Sequence, residues 1–199
     1  MVDHLTCLRC RAVYQRAHRR CPLDGARLQP GGAEPLVGTW FAGRYLIEAL
    51  VGHGAVGRTY RARHLDTRSP VALKVPFGDL AASPASRARF ARESAAARRL
   101  AGHPHLVPVV DSGVTPEGLP YLVMDFVPGP TLADLLSADA VAPDRLAPLL
   151  AQAADAHAHA RERGVGAGAL GRRDVVVTRT RAGDRARVVD LGIGRAAVG

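Results

Sequence analysis

The sequence predicts an α+β fold: an antiparallel sheet with a helix against it, then a mostly helical part, all preceded by a small cysteine-bearing module. Three observations predict it. Strand-like apolar runs at 45–50, 59–64 and 71–75 follow one another across short turns and lead into a helical pattern over 84–101. A glycine cluster, Gly52-His53-Gly54-Ala55-Val56-Gly57, lies between the first two runs, where a tight hairpin would bring backbone N–H groups close to an anion. The three cysteines, Cys7, Cys10 and Cys21, all fall before residue 22.

The first 35 residues form a distinct segment. Cys7-Leu8-Arg9-Cys10 puts two thiols on one tight turn, and a second knuckle would complete a tetrahedral metal site. That second knuckle, Cys21-Pro22-Leu23-Asp24-Gly25, offers Asp24 where a fourth cysteine is expected, so the fourth ligand is Asp24, His18 or His4. Three free thiols without metal are the plain alternative. Pro30-Gly31-Gly32 and Pro35 punctuate the chain, and residues 36–43 read as a linker.

The third strand run carries Val71-Ala72-Leu73-Lys74-Val75. Lys74 is the sole lysine among 27 basic residues, which marks a place for a compact, flexible ammonium rather than a planar guanidinium. The helix over 84–101 has Phe90, Ala97 and Leu100 along one face, arginines around the other, and a single acid, Glu93, which could pair locally with Arg89. Pro104 disfavours continuation of that helix, and His103 and His105 turn the chain toward the next strand. Residues 119–127 are β-prone and end at Pro128-Gly129-Pro130; helices are expected over 131–137 and 144–163, and His157 and His159, on different faces of the second, receive no role.

Bulk properties limit the function classes. With 199 residues and 47% hydrophobic content the chain buries a core, and no run of about 18 apolar residues or signal-like leader occurs, so a soluble cytoplasmic protein without a membrane partner is expected. The net charge of +9 invites an acidic partner, but the arginines are scattered and aromatics make up 5% of the chain, a pattern of solvated basic surface rather than of a nucleic-acid footprint.

Together, the glycine cluster, V-A-L-K at strand spacing, Glu93 in A-R-F-A-R-E-S, and Val188-Val189-Asp190-Leu191-Gly192 resemble the bacterial (eukaryotic-like) Ser/Thr protein kinase family. The resemblance implies a kinase N-lobe over 44–127, a partial helical C-lobe over 128–199, and ATP and Mg²⁺ as ligands. It implies that Gly52, Gly54 and Gly57 face the phosphates and that Glu93 holds Lys74 toward them. Backbone groups at Asp125–Val127 would meet an adenine edge with Met124 behind it. Asp174 and Asp190 would hold the metal, Asp190 standing where D-F-G has its aspartate. The cysteine segment is similar to zinc-ribbon modules found in front of some such kinases, with Cys7, Cys10, Cys21 and Asp24 as the zinc set.

The same frame shows departures. Leu170 and the valine run from Val175 fix the register of the catalytic loop, so the histidine, arginine and aspartate of H-R-D fall at Ala167, Gly168 and Ala169, and the following lysine at Gly171. Loss of a positioned general base typically lowers phosphotransfer by about 10² to 10⁴. The chain is therefore expected to be a pseudokinase that acts by binding or regulation. The alternatives are a weakly active Ser/Thr kinase, a basic zinc-ribbon protein that binds nucleic acid and keeps a relic kinase fold, and a gene remnant with no soluble product. Because the sequence ends seven residues after Gly192, the apolar face of the 144–163 helix is expected to be exposed and to favour self-association or a protein partner.

Overall fold

The computed structural model describes residues 5–10, 12–14, 18–30, 34–54, 56–138, 141–165 and 170–191. Three short strands, β1 (Leu5–Cys7), β2 (Val13–Tyr14) and β3 (Leu28–Pro30), form an antiparallel sheet in the order β2-β1-β3. A six-stranded sheet follows, built from β4 (Trp40–Phe41), β5 (Tyr45–His53), β6 (Gly57–His64), β7 (Pro70–Pro76), β8 (Val109–Val114) and β9 (Pro120–Asp125), in the order β4-β5-β6-β7-β9-β8. Between β7 and β8 run α1 (Gly78–Ala82) and α2 (Pro84–Arg98). The Ser83 hydroxyl caps α2 by accepting from the Ser86 N–H at 3.3 Å, and Pro84 begins it where a missing N–H costs nothing.

Strands β7 and β9 lie between a core on each face, which is why they are mostly apolar and almost wholly buried. Alternate residues divide between two cores. Ala72, Leu122 and Met124 face α2 and meet Phe90, Ala97 and Leu100. Tyr60, Leu73, Tyr121 and Val123 face the other way and share a core with Cys7, Tyr14, Cys21 and Leu28 of the N-terminal segment. That segment is thus the cover of the sheet's outer face. The contact is close: a Cβ on Gly78 would fall inside the Tyr14 ring, so a glycine is needed where α1 begins. His18 Nε2 lies 2.7 Å from Asp79 Oδ1 beside it.

Residues 36–43, expected as a linker, carry β4, and Leu36 and Phe41 are buried in the outer core. Two apolar side chains and an edge to pair with outweigh the flanking glycines and prolines. The edges of the sheet also approach one another, since Phe41 stacks edge-on against Tyr121 and the Tyr45 hydroxyl donates to Asp111 of β8 at 2.7 Å.

Beyond the sheet come α3 (Leu132–Ser137), α4 (Pro143–Glu162) and the antiparallel pair β10 (Val175–Thr180) and β11 (Gly183–Val188). The expected exposed face on α4 is not found. Leu149, Ala153, Ala156 and Ala160 are buried in a core with Val175, Val177, Ala186 and Val188, and Leu150 is the large apolar side chain of α4 that stays exposed among the described residues. The physical reason is the β10–β11 hairpin, which folds back onto the helix: the Ala186 N–H donates to Gln152 Oε1 at 2.8 Å, and Arg145 pairs with Asp184.

Candidate functional site

The glycine cluster forms the expected hairpin between β5 and β6. Gly54 N–H donates to the Gly57 carbonyl at 3.0 Å, His53 and Arg58 form the first rung below it, and register shifts at 47–49 and 50–52 add twist to the incoming strand. The glycines serve different ends. A Cβ on Gly57 would run into the Val75 carbonyl, so packing onto β7 demands a glycine there. At Gly54 nothing lies within 4 Å, and at Gly52 the nearest atom is Thr59 Cβ at 3.9 Å, so packing demands no glycine at either. Their bare backbone leaves room for a ligand to approach the hairpin.

Lys74 lies on β7 opposite Thr59 of β6 and Leu122 of β9, with a buried side chain on the α2 side of the sheet. Its Nζ donates to Asp190 Oδ2 at 2.7 Å, across 116 residues of sequence. Asp190 is brought there by a backbone relay. Val188 N–H donates to the His105 carbonyl at 2.8 Å, Val107 N–H to the Val188 carbonyl at 3.0 Å, and Val189 N–H to the Asp174 carbonyl at 2.8 Å. His105 Nδ1 lies 3.1 Å from the Ala186 carbonyl, so the His103–His105 turn anchors the strand that delivers Asp190.

Asp174 is buried, and its Oδ2 accepts the Gly171 N–H at 2.8 Å, which folds the loop back on itself. A carboxylate offers about four acceptor positions, so that bond does not bar a metal. Glu93 is half-buried on α2, three residues after Phe90 and four before Ala97, hence on the lobe-facing side of the helix. Asp125 ends β9 next to buried Met124; its N–H donates to the Pro108 carbonyl at 3.3 Å, and Val127 follows, half-buried. Ala55, Ala167, Gly168, Ala169 and Gly192 lie outside the described residues.

The cysteine segment brings Cys7, Cys10, Cys21 and Asp24 together, with one ligand atom from each inside 4.8 Å of the others. Cys7 Sγ is 3.2 Å from Asp24 Oδ2, Cys10 Sγ is 3.5 Å from Cys21 Sγ, and the Tyr14 hydroxyl is 3.0 Å from Cys21 Sγ. A tetrahedron with zinc–sulfur bonds of about 2.3 Å has ligand edges of roughly 3.8 Å, so the set fits such an ion. Burial pushes the Cys10 thiol well above the ordinary range, with Asp24 adding to the effect, and burial also raises Cys7. Burial opposes ionisation of Asp24 too, but the Ala26 N–H and the neighbouring thiols outweigh it and hold the carboxyl at about 2. A divalent cation would displace those thiol protons. Of the candidate fourth ligands Asp24 is in the cluster, His18 is engaged with Asp79, and His4 lies outside the described residues.

One group of residues carries no motif. Glu34 Oε1 accepts from Arg58 Nη1 at 2.6 Å, and its Oε2 accepts the Tyr60 hydroxyl at 3.0 Å, on the outer face of β6. A buried arginine in a strand next to a glycine hairpin was the available signal. Its partner, 24 residues away, has none.

Residues 45–197 match the protein kinase domain family. The chain is 35% identical over 157 residues to serine/threonine-protein kinase PknB of Mycolicibacterium smegmatis, covering 77% of this chain and 24% of that one. It is 40% identical over 101 residues to serine/threonine-protein kinase pkn3 of Myxococcus xanthus, covering 51% and 18%. The solved Mycobacterium tuberculosis PknI kinase domain superposes with a TM-score of 0.64 at 31% identity, over 78% of this chain and 62% of that one. The chain spans about a quarter or less of the length of these curated relatives. It belongs to the protein kinase domain family.

Proposed function

We propose that this chain is a protein-kinase-fold module that binds ATP with Mg²⁺ and acts by binding and regulation, with phosphotransfer impaired. The observation that carries the nucleotide reading is the convergence of Lys74 Nζ and Asp190 Oδ2 at 2.7 Å on the side of the sheet that faces α2. The open backbone at Gly52 and Gly54 fits phosphate groups, which backbone N–H donors and an ammonium recognise together. Lys74 would contact the phosphates with Glu93 holding it, Asp190 and Asp174 would supply oxygen ligands to Mg²⁺, and the backbone of Asp125 and Val127 would meet the adenine edge. Impairment rests on the sequence: Ala169 and Gly171 stand where the family's proton acceptor and lysine are expected, and neither side chain can accept a proton or carry charge.

The cysteine cluster is read as a zinc site on Cys7, Cys10, Cys21 and Asp24, supported by three sulfur donors and one oxygen that lie within 4.8 Å of one another. The three cysteines carry no disulfide, which suits a reducing cytoplasm, and no helix among the described residues is long and apolar enough to cross a membrane. A protein partner is expected for a module that works by binding.

The test is a thermal-shift titration with ATP, with and without Mg²⁺, on wild type and Lys74→Met. A ligand that binds the folded state raises the melting temperature with its concentration. The expected result is a Mg²⁺-dependent rise in wild type that is lost in Lys74→Met, with no phosphate transferred to protein hydroxyls. No rise in a folded wild type would refute nucleotide binding. Transfer abolished by Lys74→Met would favour the weakly active kinase, for which the intact lysine strand and Asp190 argue.

A further inference from the structure

We infer that Glu34 is a positioning residue for the glycine hairpin: it fixes the strand that leaves the hairpin and thereby the backbone that faces the phosphates. This rests on the nucleotide-binding reading above. Arg58 directly follows Gly57 and forms, with His53, the first rung below the hairpin. Its guanidinium is not at the nucleotide side. Strand alternation puts Thr59 and Lys74 on one face and Arg58 and Tyr60 on the other, under the N-terminal segment.

There the Arg58 side chain keeps 9% of its exposure. A charge so far removed from water is tolerated when a paired group compensates it, and removing that group leaves the charge uncompensated. Glu34 provides the compensation at 2.6 Å and uses its second oxygen for the Tyr60 hydroxyl at 3.0 Å. The carboxylate therefore grips β6 at two residues of one face. A slip of β6 by one residue would turn both partners away, so the pair of bonds specifies register. On the far side, the Phe77 N–H donates to the Val56 carbonyl at 2.8 Å, which ties the same turn to the end of β7. The hairpin root is held from both sides, and donors held in advance of binding lose less entropy when a phosphate arrives.

The experiment compares ATP and adenosine affinities, with Mg²⁺ present, for the full chain and its Glu34→Ala and Glu34→Gln variants, alongside amide hydrogen exchange over residues 52–59. A residue that only supports the fold would move both ligands alike. Expected is a loss for ATP of about tenfold in Glu34→Ala, with adenosine changing by less than about twofold and Glu34→Gln falling between. Exchange at 56–59 should quicken in the same order. Parallel losses for ATP and adenosine, or unchanged ATP affinity, would overturn the positioning role alone. Failure of wild type to bind ATP would overturn it together with the nucleotide reading. Should Glu34→Ala not fold, Tyr60→Phe removes only the bond to Oε2 and carries the same comparison. A selective loss for ATP of about two- to threefold supports the inference, and a parallel loss or none refutes it.

Discussion

The two faces of the six-stranded sheet are made by alternate residues of the same strands, and they carry different work. The inner face presents Lys74 beside Ala72, Leu122 and Met124, and there a single ion pair with Asp190 stands among apolar groups. The outer face presents Tyr60, Leu73, Tyr121 and Val123 to the N-terminal segment, and its buried arginine, Arg58, is answered by Glu34. The difference teaches that a sheet of this size is completed by what covers its back. An uncovered outer face would expose a contiguous row of aromatic and β-branched side chains.

This contrast can be broken most strongly at Tyr14, whose ring fills the junction between cysteine cluster and α1. Tyr14→Ala should destabilise the protein by about 3–5 kcal/mol, as large-to-small changes at buried aromatics do, measured by urea denaturation. Lys74→Met, on the inner face, should instead abolish the ATP response while the cooperative unfolding transition persists. Equal effects of the two variants on stability and on nucleotide would erase the distinction between the faces.

Metal comes next. Zinc at a hundredfold over its dissociation constant should add about 2.7 kcal/mol to stability, and Cys21→Ser should remove most of that gain. A chelator should lower the wild-type melting temperature but leave Cys21→Ser nearly unchanged. Indifference of wild type to both zinc and chelator would show that the cluster covers the sheet as thiols alone.

Gly78→Ala places a methyl group into the Tyr14 ring and should cost about 1–3 kcal/mol by overpacking. In combination with Tyr14→Leu the cost should be smaller than the sum of the two, because the residues touch; strict additivity in the double-mutant cycle would contradict the close contact. The smallest effect is expected away from both faces. Thr131 and Asp134 form a reciprocal cap on α3, so Thr131→Ala should cost about 1 kcal/mol and leave ATP and zinc responses as they were.

Much of the inner face was legible in the sequence. The strand runs, the α2 helix and the glycine hairpin all depend on local periodicity and turn chemistry, and each formed within a few residues of its expected limits. Residues 36–43 and α4 were harder. Glycine and proline punctuation around 36–43 suggested a linker, although Leu36 and Phe41 find a core there. The apolar face of α4 looked unpartnered because the β10–β11 hairpin that covers it carries alternating arginines, and a pattern such as Arg185-Ala186-Arg187-Val188 does not announce which helix its small face will meet.

By itself, the sequence determined which residues alternate inward, where the chain turns tightly, and that one lysine and one aspartate stand in a kinase-like frame. Such properties follow from spacing of two or 3.6 residues and from the steric freedom of glycine, all of which are local. Only the tertiary structure decided what each buried face meets. Lys74 joins Asp190 across 116 residues, Glu34 joins Arg58 across 24, and the cysteine segment closes over the outer face of the sheet. Periodicity marks a side chain as buried, but burial is non-directional, and the partner is chosen by how the whole chain packs.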